Sequence, residues 1–120
     1  MKYCDCFLSG TPITVDGGVA VPIERLRPGV DTVHGHAIAA VSSSPADPHM
    51  VRVERGSLGD GLPTAPFVVS QGHLLLVRGV ARRARDVGAL WASPAGSRMW
   101  HVQLTNGTWG TMDVLGVAAE

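Results

Sequence analysis

Ile13-Thr14-Val15-Asp16-Gly17-Gly18-Val19-Ala20-Val21 reads as two short apolar runs joined by Asp-Gly-Gly. Asp-Gly and Gly-Gly supply the positive-φ positions of a tight turn, so this segment is predicted to be a β-hairpin. The same grammar extends outward. Fifteen glycines and eight prolines punctuate the whole chain, with short Val-rich runs between them, a pattern that favours many short strands over long helices. The fold class is therefore all-β. After the hairpin, Pro22 to Arg27 is expected to make one helical turn that buries Ile23 and Leu26 and stops at Pro28-Gly29, before a strand leaves through Thr32-Val33.

Further along, Ser42 to His49 is polar and proline-rich and is expected to be an exposed connection. Val51 and Val53 alternate with Arg52 and Glu54 as in a half-exposed strand, and Gly56 to Pro63 reads as a second glycine-rich turn. Phe67-Val68-Val69-Ser70 and Leu74-Leu75-Leu76-Val77 are strand-like runs on either side of Gln71-Gly72-His73, which places Ser70 and His73 at a tight bend between buried strands. Arg82 to Asp86 reads as a solvated turn or short helix. Met99 to Leu104 and Val114 to Val117 are predicted to be the last two strands.

Composition narrows the function. The 120 residues are 45% hydrophobic and 17% charged, with ten basic and ten acidic side chains, enough for one core and without the basic excess that nucleic acid or anionic lipid would select. No nucleic-acid or membrane partner is expected. Apolar runs fall far short of a membrane span and the first residues lack a signal-peptide core, so a soluble chain is anticipated. The two cysteines, Cys4 and Cys6, stand too close together to staple a long loop, so their value is either chemical or nil.

Two constellations could carry chemistry. Cys4, Cys6, His34 and His36 form C-x-C and H-x-H pairs with zinc-compatible donors, but nothing in the spacing joins the two pairs. Cys6 with Ser70 and His73 is better ordered, because a cysteine nucleophile needs a group to protonate what it displaces, and histidine exchanges protons near neutral pH.

The sequence around that second set carries a resemblance. Cys6-Phe7-Leu8-Ser9-Gly10-Thr11-Pro12-Ile13, then Val21-Pro22-Ile23-Glu24-Arg25-Leu26-Arg27-Pro28-Gly29, then Val68-Val69-Ser70-Gln71-Gly72-His73, resembles the Hedgehog/intein (Hint) superfamily of self-processing domains. Gly56 to Pro63, His101-Val102-Gln103-Leu104 and the C-terminal Gly116 to Glu120 look most like its bacterial Hedgehog-type branch. The resemblance implies an all-β horseshoe with pseudo-twofold symmetry. Residues 1–5 would be an upstream, extein-like segment and residues 6–120 the domain itself.

It also implies an activity: an intramolecular N-to-S acyl shift at Asp5-Cys6, with Cys6 as nucleophile, His73 protonating the leaving amide nitrogen and Ser70 holding the scissile peptide. His101 and Asp31 are candidate supporting residues. The partners implied are the upstream polypeptide in cis and an external thiol, amine or water that resolves the thioester. No cofactor or metal is required. Such a domain acts once, as a single-turnover autocatalyst and not as a multiple-turnover enzyme. The chain ends Val117-Ala118-Ala119-Glu120 where splicing inteins carry His-Asn, so full splicing is not expected. The alternative implied by these departures is a catalytically inactive Hint-fold binding or structural module.

Overall fold

Tight turns cut the chain into short strands, beginning with the predicted hairpin. In the computed structural model, which describes residues 6–105 and 112–119, Pro12–Thr14 (β2) pairs with Ala20–Pro22 (β3) in the register Ile13↔Val21. Gly17 and Gly18 turn the chain at φ 96° and 84°, values that a β-carbon would disfavour. Ahead of the hairpin lies Phe7–Leu8 (β1). After it comes a single 3-10 turn, Ile23–Arg25, whose Ile23 is fully buried. The remaining strands are Thr32–Val33 (β4), His36–Pro45 (β5), His49–Val53 (β6), Phe67–Val69 (β7), Leu74–Val77 (β8) and Val80–Arg83 (β9). A short helix, Ala84–Val87 (α1), precedes Ala89–Ala92 (β10), Arg98–Leu104 (β11), Met112–Val114 (β12) and Val117–Ala119 (β13).

The architecture is all-β, as expected. Seven strands form one sheet in the order β10-β6-β7-β1-β11-β5-β4, and six form another in the order β3-β2-β12-β13-β8-β9. The main core draws on both: Phe7, Val51 and Val69 from the first sheet pack in one cluster with Ile13, Leu75 and Val114 from the second. Because side chains alternate along a strand, the next row on the seven-stranded sheet faces the other way. That row holds a second, smaller cluster of Cys6, Met50, Val68 and Met99, flanked by Leu8, Ala46 and Trp91. Cys6 therefore lies on the outer face of β1's sheet, while Phe7 lies in the core. Among the described residues no helix is long and apolar enough to cross a membrane.

Two local expectations are corrected, and one strand stands where no element was expected. Of Ser42 to His49 only Ala46, Asp47 and Pro48 form the expected connection: β5 runs through Ser42, Ser43 and Ser44 to Pro45, and β6 already begins at His49. Pairing to β11, with Trp100↔Ser43 and His101↔Ser42, satisfies the serine backbone and overrides its turn preference, and Pro45 is tolerated at the strand end. Val114 to Val117 is a hairpin tip, not a strand. Leu115 and Gly116 sit at φ 52° and 85°, and β12 and β13 pair across them as Val114↔Val117. Finally, β10 has no alternating pattern to announce it and forms because β6 offers a free edge, pairing as Leu90↔Val51 and Trp91↔Met50.

Candidate active site

The chain leaves the seven-stranded sheet at the end of β7 and enters the six-stranded sheet at β8, and the crossing is the bend from Ser70 to His73. Its tightness comes from the backbone: the His73 N–H donates to the Ser70 carbonyl at 3.1 Å. The start of α1 clamps it, with Ala84 N–H on the His73 carbonyl at 2.8 Å and Arg85 N–H on the Gln71 carbonyl at 3.1 Å. The Gln71 side-chain amide also donates to the His49 carbonyl at 3.2 Å. Ser70 and His73 are buried, two of the few polar side chains in the described interior.

This bend is built onto the backbone of Cys6. Ser70 N–H donates to the Cys6 carbonyl at 2.9 Å, and Cys6 N–H donates to Ser70 Oγ at 3.1 Å. The second bond is the informative one, since the nitrogen of Cys6 is the nitrogen of the Asp5-Cys6 peptide. A side-chain hydroxyl, 64 residues distant in sequence, thus holds that amide. His73 Nδ1 stands 3.4 Å from the Cys6 carbonyl oxygen, and its ring packs edge-on against Phe7 at a centroid separation of 4.4 Å. The imidazole therefore meets Cys6 at the carbonyl oxygen and not at the amide nitrogen that the Hint resemblance implies.

Geometry also separates the two halves of the site. Phe7 and His73 belong to the core side of β1, whereas the Cys6 side chain packs outward with Met50, Val68 and Met99. Ser70 and His73 address the peptide, and the sulfur occupies the other face. Cys6 is disulfide-bonded, and the chain's only other cysteine, Cys4, lies outside the described residues, as does Asp5. A disulfide sulfur has no lone thiolate to attack a carbonyl, so nucleophilic chemistry at Cys6 begins only after reduction.

The supporting candidates part company. Asp31 belongs to the turn before β4, where it accepts the Arg27 N–H at 2.7 Å and pairs with the Arg27 guanidinium at 3.2 Å. Those bonds, the backbone one first, hold its carboxyl below the ordinary 3.8 and give it a turn-fixing role. His101, by contrast, lies on β11, the strand paired with β1. Of the zinc-compatible set, His34 sits at the tip of the β4–β5 turn at φ 50°, with Nε2 3.3 Å from the Asp113 carboxylate, and His36 is exposed on β5. Among the described residues no three His, Cys, Asp or Glu side chains converge.

No family model and no curated protein matches the chain. Sequence reasoning missed the contributions of Phe7, which walls the imidazole, and Gln71, which anchors the bend. The alternation of Phe7 with Cys6 was the available signal for the first; nothing local marks the second. A cleft of about 630 Å³ lies elsewhere, between Gly56–Gly59 and the β8–β9 turn, and none of Cys6, Ser70 and His73 lines it.

Proposed function

We propose that the protein is a self-processing domain of the Hint type that cleaves the Asp5-Cys6 peptide by an N-to-S acyl shift. One observation carries the reading: the amide nitrogen of Cys6 is held by the hydroxyl of Ser70 in a buried Ser-x-x-His bend whose histidine abuts the same residue. A fold has no packing need to place a serine hydroxyl and an imidazole around one peptide unit in its interior, where each polar group must be satisfied at a cost.

The chemistry follows from the placement. A planar amide is resonance-stabilised, and its nitrogen leaves only when protonated or twisted. With the disulfide reduced, the Cys6 sulfur attacks the Asp5 carbonyl carbon, the carbon–nitrogen bond breaks, and the nitrogen departs as an amine that takes a proton from His73. Ser70 fixes the direction of the Cys6 N–H, so the face of the nitrogen that receives the proton is fixed as well. Because nucleophile and carbonyl belong to adjacent residues, no substrate pocket is needed; holding them in register can contribute about 7–11 kcal/mol. The thioester then yields to water, a thiol or an amine. His73 has to shift from the Cys6 carbonyl towards the nitrogen during this step, a movement within one residue's span.

The test is the chain with a reporter protein ahead of Cys6, reduced by a phosphine and exposed to hydroxylamine, compared with Cys6→Ala, Ser70→Ala and His73→Ala. Cleavage is expected in the parent, none in Cys6→Ala, and a loss of about 10²–10⁴-fold in His73→Ala, the usual contribution of a positioned proton donor. Uncut reporter in the reduced parent would leave the inactive Hint-fold module as the better reading.

A further inference from the structure

We propose that His101 is the base that takes the Cys6 thiol proton, working on the outer face of the sheet while His73 works on the peptide from the core side. The assignment rests on the acyl-shift reading above and answers a question that reading leaves open. The thiol needs a proton acceptor, and His73 lies across the β1 backbone from the sulfur, packed on Phe7.

Strand register supplies the candidate. β1 and β11 pair as Phe7↔Trp100 and Leu8↔Met99, and Ser9 N–H donates to the Arg98 carbonyl at 3.1 Å. One further step sets Cys6 opposite His101. Since Ser9 and Arg98 form a hydrogen-bonded pair, alternation makes Cys6 and His101 a non-hydrogen-bonded pair, the position where facing side chains approach closest, with α-carbons about 4.5 Å apart. The face agrees: Met99, two residues before His101, packs against Cys6, whereas Trp100 and Val102 turn to the main core. His101 is exposed, so its proton exchanges with solvent.

The positions facing His101 in the strand register lie on β5 and β1. On β5 they are Ser42 directly opposite, flanked by Ala40 and Ser44, and on β1 they are Cys6 and Leu8. Cys6 is the one titratable group among them.

The step balances without a co-reactant. The sulfur–hydrogen bond breaks and its proton passes to the His101 imidazole. The sulfur lone pair forms the bond to the Asp5 carbonyl carbon, while the carbon–nitrogen pair leaves on nitrogen, which receives the proton from His73. Once His101 has released its proton to solvent and His73 has regained one from it, His101 takes a proton from an attacking water. Hydroxide opens the thioester, and the sulfur recovers that proton as it leaves. One water is consumed overall.

The experiment uses the reduced chain with the reporter ahead of Cys6 and Cys4→Ser to leave a single thiol, alone and with His101→Ala or His101→Gln. Two quantities are read: the pH dependence of hydroxylamine-trapped cleavage, and the pH at which the ultraviolet absorbance of the Cys6 thiolate grows in. A thiol with an ordinary pKa of about 8.5 is only a few per cent ionised near pH 7, so both variants should lose up to about tenfold there and recover by about pH 9. His73→Ala should stay slow throughout. Thiolate formation in the His101 variants should move up by about one pH unit, as expected when an imidazolium neighbour is lost. Coincident rate profiles and titrations in parent and variants would overturn the assignment. A parent that is never cut, but whose thiolate titration still moves, would overturn the acyl shift while keeping His101 as the proton acceptor of Cys6.

Discussion

Two regions of the molecule hold a turn in the same way, by a short polar side chain that captures a backbone N–H, and they differ in what surrounds them. Around the β2–β3 hairpin and the turn before β4 the captors are carboxylates at the surface, Asp16 exposed and Asp31 half-buried beside the exposed Arg27. Asp16 accepts the Thr32 hydroxyl and the Gly35 N–H, each at 2.8 Å, and Asp31 accepts the Arg27 N–H at 2.7 Å. At the β7–β8 crossing the captor is the neutral hydroxyl of Ser70, buried against Cys6 and His73. In the exposed region water stands ready to replace any bond that breaks, so the side chains adjust turns and little more. In the buried region a lost acceptor leaves a donor with nothing to bind. The contrast separates a place where polarity is convenient from one where it is costly, and the costly one is where a function is sought.

The comparison breaks first at Ser70. Ser70→Ala strands the Cys6 N–H and should lower unfolding free energy by about 1–3 kcal/mol in urea titration, the cost of an unsatisfied buried donor. Ser70→Thr keeps the oxygen and should recover most of it. Equal stability of Ser70→Ala and the parent would mean the buried bond contributes nothing and the contrast is empty.

Smaller effects are expected from the exposed region, and they depend on pH. Asp16 is held below the ordinary carboxylate value of 3.8 mainly by the Thr32 hydroxyl and then the Gly35 N–H; Asp31 is held below it by Arg27. Carboxylates with depressed folded-state values add stability that is complete above about pH 4 and is lost as pH falls through the lowered values. The Asp16→Asn, Asp31→Asn double variant should therefore be slightly less stable near neutrality and show a shallower fall in its urea midpoint below about pH 4. An identical acid limb in variant and parent would show that these carboxylates do not report on folding.

Much of the fold was legible because its punctuation is local. The Asp16-Gly17-Gly18 turn, the burial of Ile23 and Leu26, and the Ser70 to His73 bend between apolar runs all follow from residues within a few positions of one another. What failed depends on partners far along the chain. Ser42 to Pro45 becomes strand only because β11 lies beside it, and Leu115-Gly116 turns because β12 and β13 pair around it. The candidate site divides in the same way. Its residue types could be picked out, but the amide-to-hydroxyl bond, the opposed faces of Cys6 and His73, and the register that sets His101 across from Cys6 are products of sheet pairing.

The most direct measurement is the intact mass of the upstream fragment released when the reduced, reporter-fused chain meets hydroxylamine near neutral pH. An acyl shift predicts a fragment ending in a hydroxamate at Asp5, formed in step with a second fragment beginning at Cys6, and neither from Cys6→Ala. A single uncut mass in the reduced parent, or an upstream fragment ending elsewhere than Asp5, would contradict it.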